Sequence, residues 1–108
     1  MVVHPVRDLD AAIAFYTGPL GLSLKFRDGD RFAALDAAGT TIALAAGGES
    51  AADRTAVSYK VDDVAACVAA LRAAGARVLR EPARGPHETR AVLADPAGNP
   101  FIVYASHP

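Results

Sequence analysis

The sequence predicts an α+β fold built from two βαβββ modules. Their strands are expected to form a curved eight-stranded mixed sheet around a cleft, with the helices on the outer face. Three observations lead there. The chain repeats itself at an offset of 55 residues, each copy opens with an aspartate before an amphipathic stretch, and each stretch is followed by three short alternating segments. The expected organisation is one domain over residues 1–108, with module 1 at 1–46, a polar linker at 47–54 and module 2 at 55–108.

The repeat is legible residue by residue. Val6-Arg7-Asp8-Leu9 matches Val61-Asp62-Asp63-Val64. At the same offset Ala12 meets Cys67, Ile13 meets Val68 and Tyr16 meets Leu71, while Gly21 and Gly75 fall within one residue of register. Asp8 and Asp63 are predicted N-caps, because a short side-chain oxygen accepts from the free N–H groups of a first helical turn. Leu9, Ile13, Tyr16 and Leu20 recur at helical spacing after the first cap, and Val64, Val68 and Leu71 after the second. Pro19-Leu20-Gly21 and Ala74-Gly75 are the stop signals.

Strands are expected at 22–27, 31–36 and 41–45 in the first half, and at 77–80, 89–94 and 101–104 in the second. Asp28-Gly29-Asp30, Ala38-Gly39 and the run Asp95-Pro96-Ala97-Gly98-Asn99 separate them as turns. Pro82–Pro86 reads as a further turn, and 47–54 as a flexible connection.

Alternation assigns faces. Val57, Tyr59 and Val61, Ile42 and Leu44, and Phe101 and Val103 are expected to pack on the helices. The intervening residues face the cleft. Several of these are small, which leaves room for a ligand. The ligand-lining set is Thr41, Ala43, Ala56, Ser58, Lys60, Arg90, Ile102 and Tyr104. Lys60 brings a cation and Tyr104 a ring with a hydroxyl tip, a combination suited to a carboxylate, enolate or phenolate. Lys60 reaching solvent and Tyr104 packing on the other half are the structural alternatives.

Composition narrows the classes. Hydrophobic residues make up 52% of the 108, which opposes disorder. The net charge is −1 with scattered cations, so no nucleic-acid partner is expected. No apolar stretch spans a bilayer and the N-terminus does not read as a signal peptide, so no membrane partner and a cytoplasmic location are expected. The single cysteine, Cys67, excludes an internal disulfide and reads as a small apolar residue on a helix's buried face.

The segment from Val6 to Tyr16, running on to Leu20-Gly21-Leu22, and the segment Asp95-Pro96-Ala97-Gly98-Asn99-Pro100-Phe101 resemble the vicinal-oxygen-chelate superfamily of glyoxalase I, bleomycin-resistance proteins and extradiol dioxygenases. With the repeat, the resemblance spans nearly the whole chain. It implies four cleft positions that hold metal in metal-dependent members. Counted from the motifs here, these are Met1, Ala43, Ala56 and Ile102. None offers an imidazole, carboxylate or thiolate, so no metal and no cofactor are expected. His4 has the wrong strand parity for the cleft, His107 lies in the terminal tail, and His87 and Glu88 are adjacent and point to opposite faces.

Three functions stay open on these residues. One is a metal-independent small-molecule-binding protein of the bleomycin-resistance type, sequestering a drug or metabolite; the absence of Trp argues against a large stacked aromatic. The second is a lyase, isomerase or dioxygenase-like enzyme of the same superfamily, with Lys60 or Tyr104 as acid or base. The third is a ligand-free structural dimer. A homodimer is expected in any case, since so short a chain closes a cleft poorly.

Overall fold

The structure, a computed structural model, describes residues 1–49 and 51–107. Ser50 of the expected linker and Pro108 at the end of the expected second module lie outside the described residues. The chain divides into two compact units, Met1–Thr55 and Ala56–Pro108. Each is a βαβββ module, and the fold class is α+β.

The first unit contains β1 (Val2–Val6), α1 (Leu9–Thr17), β2 (Ser23–Asp28), β3 (Phe32–Ala37) and β4 (Thr40–Ala46). Its strands lie in the order β2-β3-β4-β1, with β1 parallel to β4 and the other pairs antiparallel. Asp8 caps α1 as expected, its Oδ1 accepting from the Ala11 N–H at 3.1 Å. Leu9 is buried against Ala33, Leu35, Leu44 and Ala46, with Ile13, Tyr16 and Ile42 packed around them. Leu20 departs from the expected stripe: α1 ends before it, and it is exposed. His4 lies on the helix side, stacked on Tyr16 at 5.7 Å between ring centroids, with Nδ1 hydrogen-bonded to Thr55 Oγ1 at 2.7 Å. The Ala38-Gly39 turn joins β3 to β4 with both residues at positive φ, +54° and +94°. That geometry matches the twist of a tight hairpin.

Around Ser50, the described residues of the expected linker carry some local structure. Gly47–Glu49 forms a 3-10 turn, and Ala51 and Ala52 are buried. Their methyl groups supply apolar surface that a polar linker lacks.

The second unit contains β5 (Ala56–Lys60), α2 (Val64–Ala73), β6 (Arg77–Arg84), β7 (Glu88–Ala94) and β8 (Pro100–Ser106), in the strand order β5-β8-β7-β6. Asp63 caps α2 through the Ala66 N–H at 3.0 Å. At the other end the Gly75 N–H donates to the Arg72 carbonyl and the Ala76 N–H to the Leu71 carbonyl. Those two bonds, with Gly75 at φ +104°, form a Schellman stop. Val64 and Val68 pack on Ala91, Leu93 and Val103, with Cys67 half-buried beside them.

Two expectations are corrected in this unit. Pro82 does not break the strand: β6 runs through it to Arg84, and the turn is pushed to 85–87. An edge strand tolerates proline where its register is already irregular, and β6 shifts register between Val78 and Arg80 and between Arg80 and Ala83. Val57 and Tyr59 do not pack under the helix. They are 38% and 53% exposed, because α2 lies over β6, β7 and β8 and leaves β5 uncovered. Val61, just past the strand, does join the core.

Candidate functional site

Cross-strand register places the second unit's expected site residues on one face. Val103, Ala91 and Leu93 belong to the core beneath α2, so the alternate residues of β8 and β7 face the other way. On that opposite face Lys60 pairs with Tyr104, and Tyr104 pairs with Arg90. The three form one row across β5, β8 and β7. The next row is Ser58, Ile102 and Val92. Lys60 is exposed and Tyr104 and Arg90 are half-buried, whereas Ser58, Ile102 and Ala56 are buried. The face therefore offers a cation, a phenol and a guanidinium above a packed floor. Glu88 shares it, 3.8 Å from Arg90 through Nη1 and Oε1.

In the first unit Thr41 and Ala43 lie on the corresponding face, opposite Ile42 and Leu44 of the α1 core. Ala43 is fully buried. Thr41 is engaged by Lys25, whose Nζ donates to Oγ1 at 3.3 Å. Lys25 sits at a register shift between Leu24 and Phe26, which is why simple alternation did not mark it.

The donor chemistry of the four positions that the superfamily uses for metal does not fit a metal. Met1 is exposed, and Ala43, Ala56 and Ile102 are buried side chains without a donor atom. Among the described residues no three His, Cys, Asp or Glu side chains converge on a point. His107 is better held than a terminal position predicts, since its N–H donates to the His87 carbonyl at 3.0 Å. The groups that register brings together on the second unit's face are cationic and phenolic, with the Glu88 carboxylate beside Arg90.

The Asp95 turn closes one end of β7. Its Oδ1 accepts from the Ala97 and Asn99 N–H groups at 3.0 and 2.8 Å, and Oδ2 accepts from Asn99 Nδ2 at 3.1 Å. These bonds, that from the Asn99 backbone above all, hold its carboxyl below the usual carboxylate range. The role of this motif is structural, as a clasp on the β7–β8 hairpin. Beside it Val57, Tyr59, Asn99, Pro100 and Phe101 line an open hollow of about 280 Å³ on the uncovered side of β5.

A family model described as a glyoxalase-like domain matches residues 1–104. This chain belongs to the glyoxalase-like domain family. A relative from Mycolicibacterium smegmatis, itself uncharacterized, is 41% identical over 106 residues, spanning 97% of this chain and 90% of that protein. Among solved structures, a Legionella pneumophila protein described as an NAD-dependent benzaldehyde dehydrogenase superposes with a TM-score of 0.83 at 17% identity, covering 98% of this chain and 97% of that one. A glyoxalase/bleomycin resistance protein/dioxygenase superfamily member from Vibrio splendidus gives a TM-score of 0.67 at 15% identity, over 97% and 96% of the two chains. At such identities these structures share the glyoxalase-like fold with this chain, and a fold of this kind carries no single chemistry.

Sequence reasoning missed two residues of the second unit's face. Arg77 pairs with Ala94 and Arg80 with Val92, so both lie on the side of Arg90 and Tyr104. The signal was present in the arginine-rich run 77–84, but the two irregularities in β6 hide its parity.

Proposed function

We propose that this glyoxalase-like chain is a metal-independent small-molecule-binding protein that holds an anionic ligand through Lys60, Tyr104 and Arg90. The carrying observation is their register: the three occupy neighbouring positions on adjacent strands, on the face turned away from α2. An ammonium and a guanidinium favour carboxylate, enolate or phenolate oxygens, and the phenol adds a donor of fixed direction. Ser58, Ile102 and Ala56 form the floor beneath the ligand, and Thr41 and Ala43 line the equivalent face of the first unit. The role is drug or metabolite sequestration by a cytoplasmic homodimer, without a nucleic-acid or membrane partner. No helix of the described residues is long and apolar enough to cross a membrane.

The test is isothermal titration with small carboxylates, benzoate first, in low-salt buffer. Lys60→Ala and Tyr104→Phe are expected to weaken binding by roughly tenfold each, the scale of one charge-assisted hydrogen bond. Benzoate and related acids giving no heat would sink this reading. Elemental mass spectrometry on protein purified without chelator provides a second arm. Stoichiometric nickel, zinc, iron or manganese would overturn metal independence and turn the reading to lyase, isomerase or dioxygenase-like catalysis. Sedimentation showing a monomer at micromolar concentration would remove the homodimer.

A further inference from the structure

We infer that the hollow beside β5 binds an alkylated ammonium group, a cation of the trimethylammonium kind, in the corner between the Tyr59 and Phe101 rings. The inference is independent of the anion-binding reading above, because it concerns the other face of the sheet and other residues.

The corner follows from register. Val57 stands opposite Phe101, and Tyr59 opposite Val103, on the parallel strands β5 and β8. Val103 lies in the α2 core with Phe101 packed against it, so all four positions are on the helix side of the sheet. The helix leaves β5 open, and Tyr59 meets Phe101 instead of a helix above it. Their ring centroids are 6.1 Å apart with the planes at 75°. Rings so close to perpendicular form two walls of a corner rather than a stack. Val57 and Pro100 add apolar surface, and Asp95 and Asn99 of the clasp close the end of the hollow, about 280 Å³ in volume. Phe101 is anchored on the core, while Tyr59 is exposed and presents its ring to solvent.

Charge selects the occupant. None of the lining residues is a lysine, arginine or histidine. Asp95 is among them, and the three N–H groups that donate to its carboxylate keep it ionised. Asp95 makes no ion pair among the described residues. Arg77 shares a separate hollow with it without pairing. An anion is therefore repelled from the β5 hollow, and a neutral group gains apolar contact alone. A cation gains from two sources, the negative ring faces and the unneutralised carboxylate. Alkylation matters because the acceptors are committed: Asp95 Oδ1 already takes two hydrogen bonds and Oδ2 one. A primary ammonium brings three N–H donors that would lose water on entry. A quaternary ammonium brings none, and its methyl groups suit the walls of Val57 and Pro100.

The experiment is an NMR titration of the full chain with choline, set against 3,3-dimethylbutan-1-ol, its uncharged isostere, at constant low ionic strength, where surface charge is least screened. Choline is expected to shift the amide resonances of Val57, Tyr59 and Phe101 and to bind about 2–5-fold more tightly than the alcohol, the scale of an exposed cation–π contact. Tyr59→Leu keeps apolar bulk but removes the ring, and should bring choline down to the level of the alcohol. Tyr59→Phe should keep the preference. Asp95→Asn should weaken choline and leave the alcohol unchanged. Circular dichroism of each variant checks the fold; Tyr59 is exposed and outside the core. Equal affinity for the two probes overturns the inference, as does a preference that Tyr59→Leu or Asp95→Asn leaves unaltered. Choline shifts confined to other residues, or no shift at all, overturn it as well. None of these outcomes touches the anion-binding reading, which benzoate and Lys60 test on the other face.

Discussion

Val103 and Val57 provide a matched test of where α2 lies. Both are valines on neighbouring strands, β8 and β5, on the helix side of the same module. Val103 is 2% exposed within the α2 core, and Val57 is 38% exposed. Replacing either by alanine removes the equivalent of two methylenes and the same strand propensity, so the difference between the variants isolates the effect of the helix above. At about 0.8 kcal/mol per buried CH₂ the transfer loss at Val103 is ~1.6 kcal/mol. The residual cavity, sealed beneath α2, raises this to about 2–3 kcal/mol. At Val57 only part of the side chain leaves water on folding and solvent fills the gap, so the loss is ~1 kcal/mol or less. Urea unfolding followed by circular dichroism reads both; the midpoint should fall further for Val103→Ala, with the m-value unchanged. Equal losses would refute the statement that α2 leaves β5 uncovered.

Ala38 adopts φ +54° in the β3–β4 turn, where a Cβ is strained. Ala38→Gly should therefore stabilise the protein by about 0.5–1 kcal/mol, seen as a rise in thermal midpoint. Gly75 sits at φ +104° with open space where a methyl would project, so Gly75→Ala should cost about 1 kcal/mol or more through backbone strain alone; no loss in urea would contradict the Schellman stop. Asp63→Ala should cost about 1 kcal/mol through loss of the α2 cap, and Asp63→Asn much less, both read from the urea midpoint. Asp95 has a folded-state pKa below its unfolded value, so its contribution is fully present above pH ~4 and is lost as pH falls through the lowered value. The acid limb of the stability–pH curve should be shallower in Asp95→Asn; superposable limbs would show that the clasp carries no linkage.

Much of this fold is legible in the chain because its determinants are local. Asp8 and Asp63 cap their helices through side-chain oxygens three residues from the N–H they accept, and Gly75 ends α2 through its own φ. The strand parity of Leu44, Val103 and His4 follows from a period of two that no distant residue has to set. The repeat then doubles each signal. The positions named for metal carry no imidazole, carboxylate or thiolate, and that too is read directly from residue type.

Other features needed the third dimension. Val57 and Tyr59 have the alternation of a covered strand, yet their exposure depends on how far a ten-residue helix reaches across four strands. Pro82 signals a turn locally, but an edge strand with a shifted register absorbs it. Lys25 and Arg80 are aimed by irregularities in the ladder, and an irregularity belongs to a pair of strands rather than to either one. The modules, the caps and the lack of imidazole, carboxylate or thiolate at the metal positions are thus written into residue order, because they are short-range properties of the backbone and of residue type. That Lys60, Tyr104 and Arg90 share a row, and that Arg80 joins their face, emerges only on folding, because register is set by pairing between segments distant in the chain.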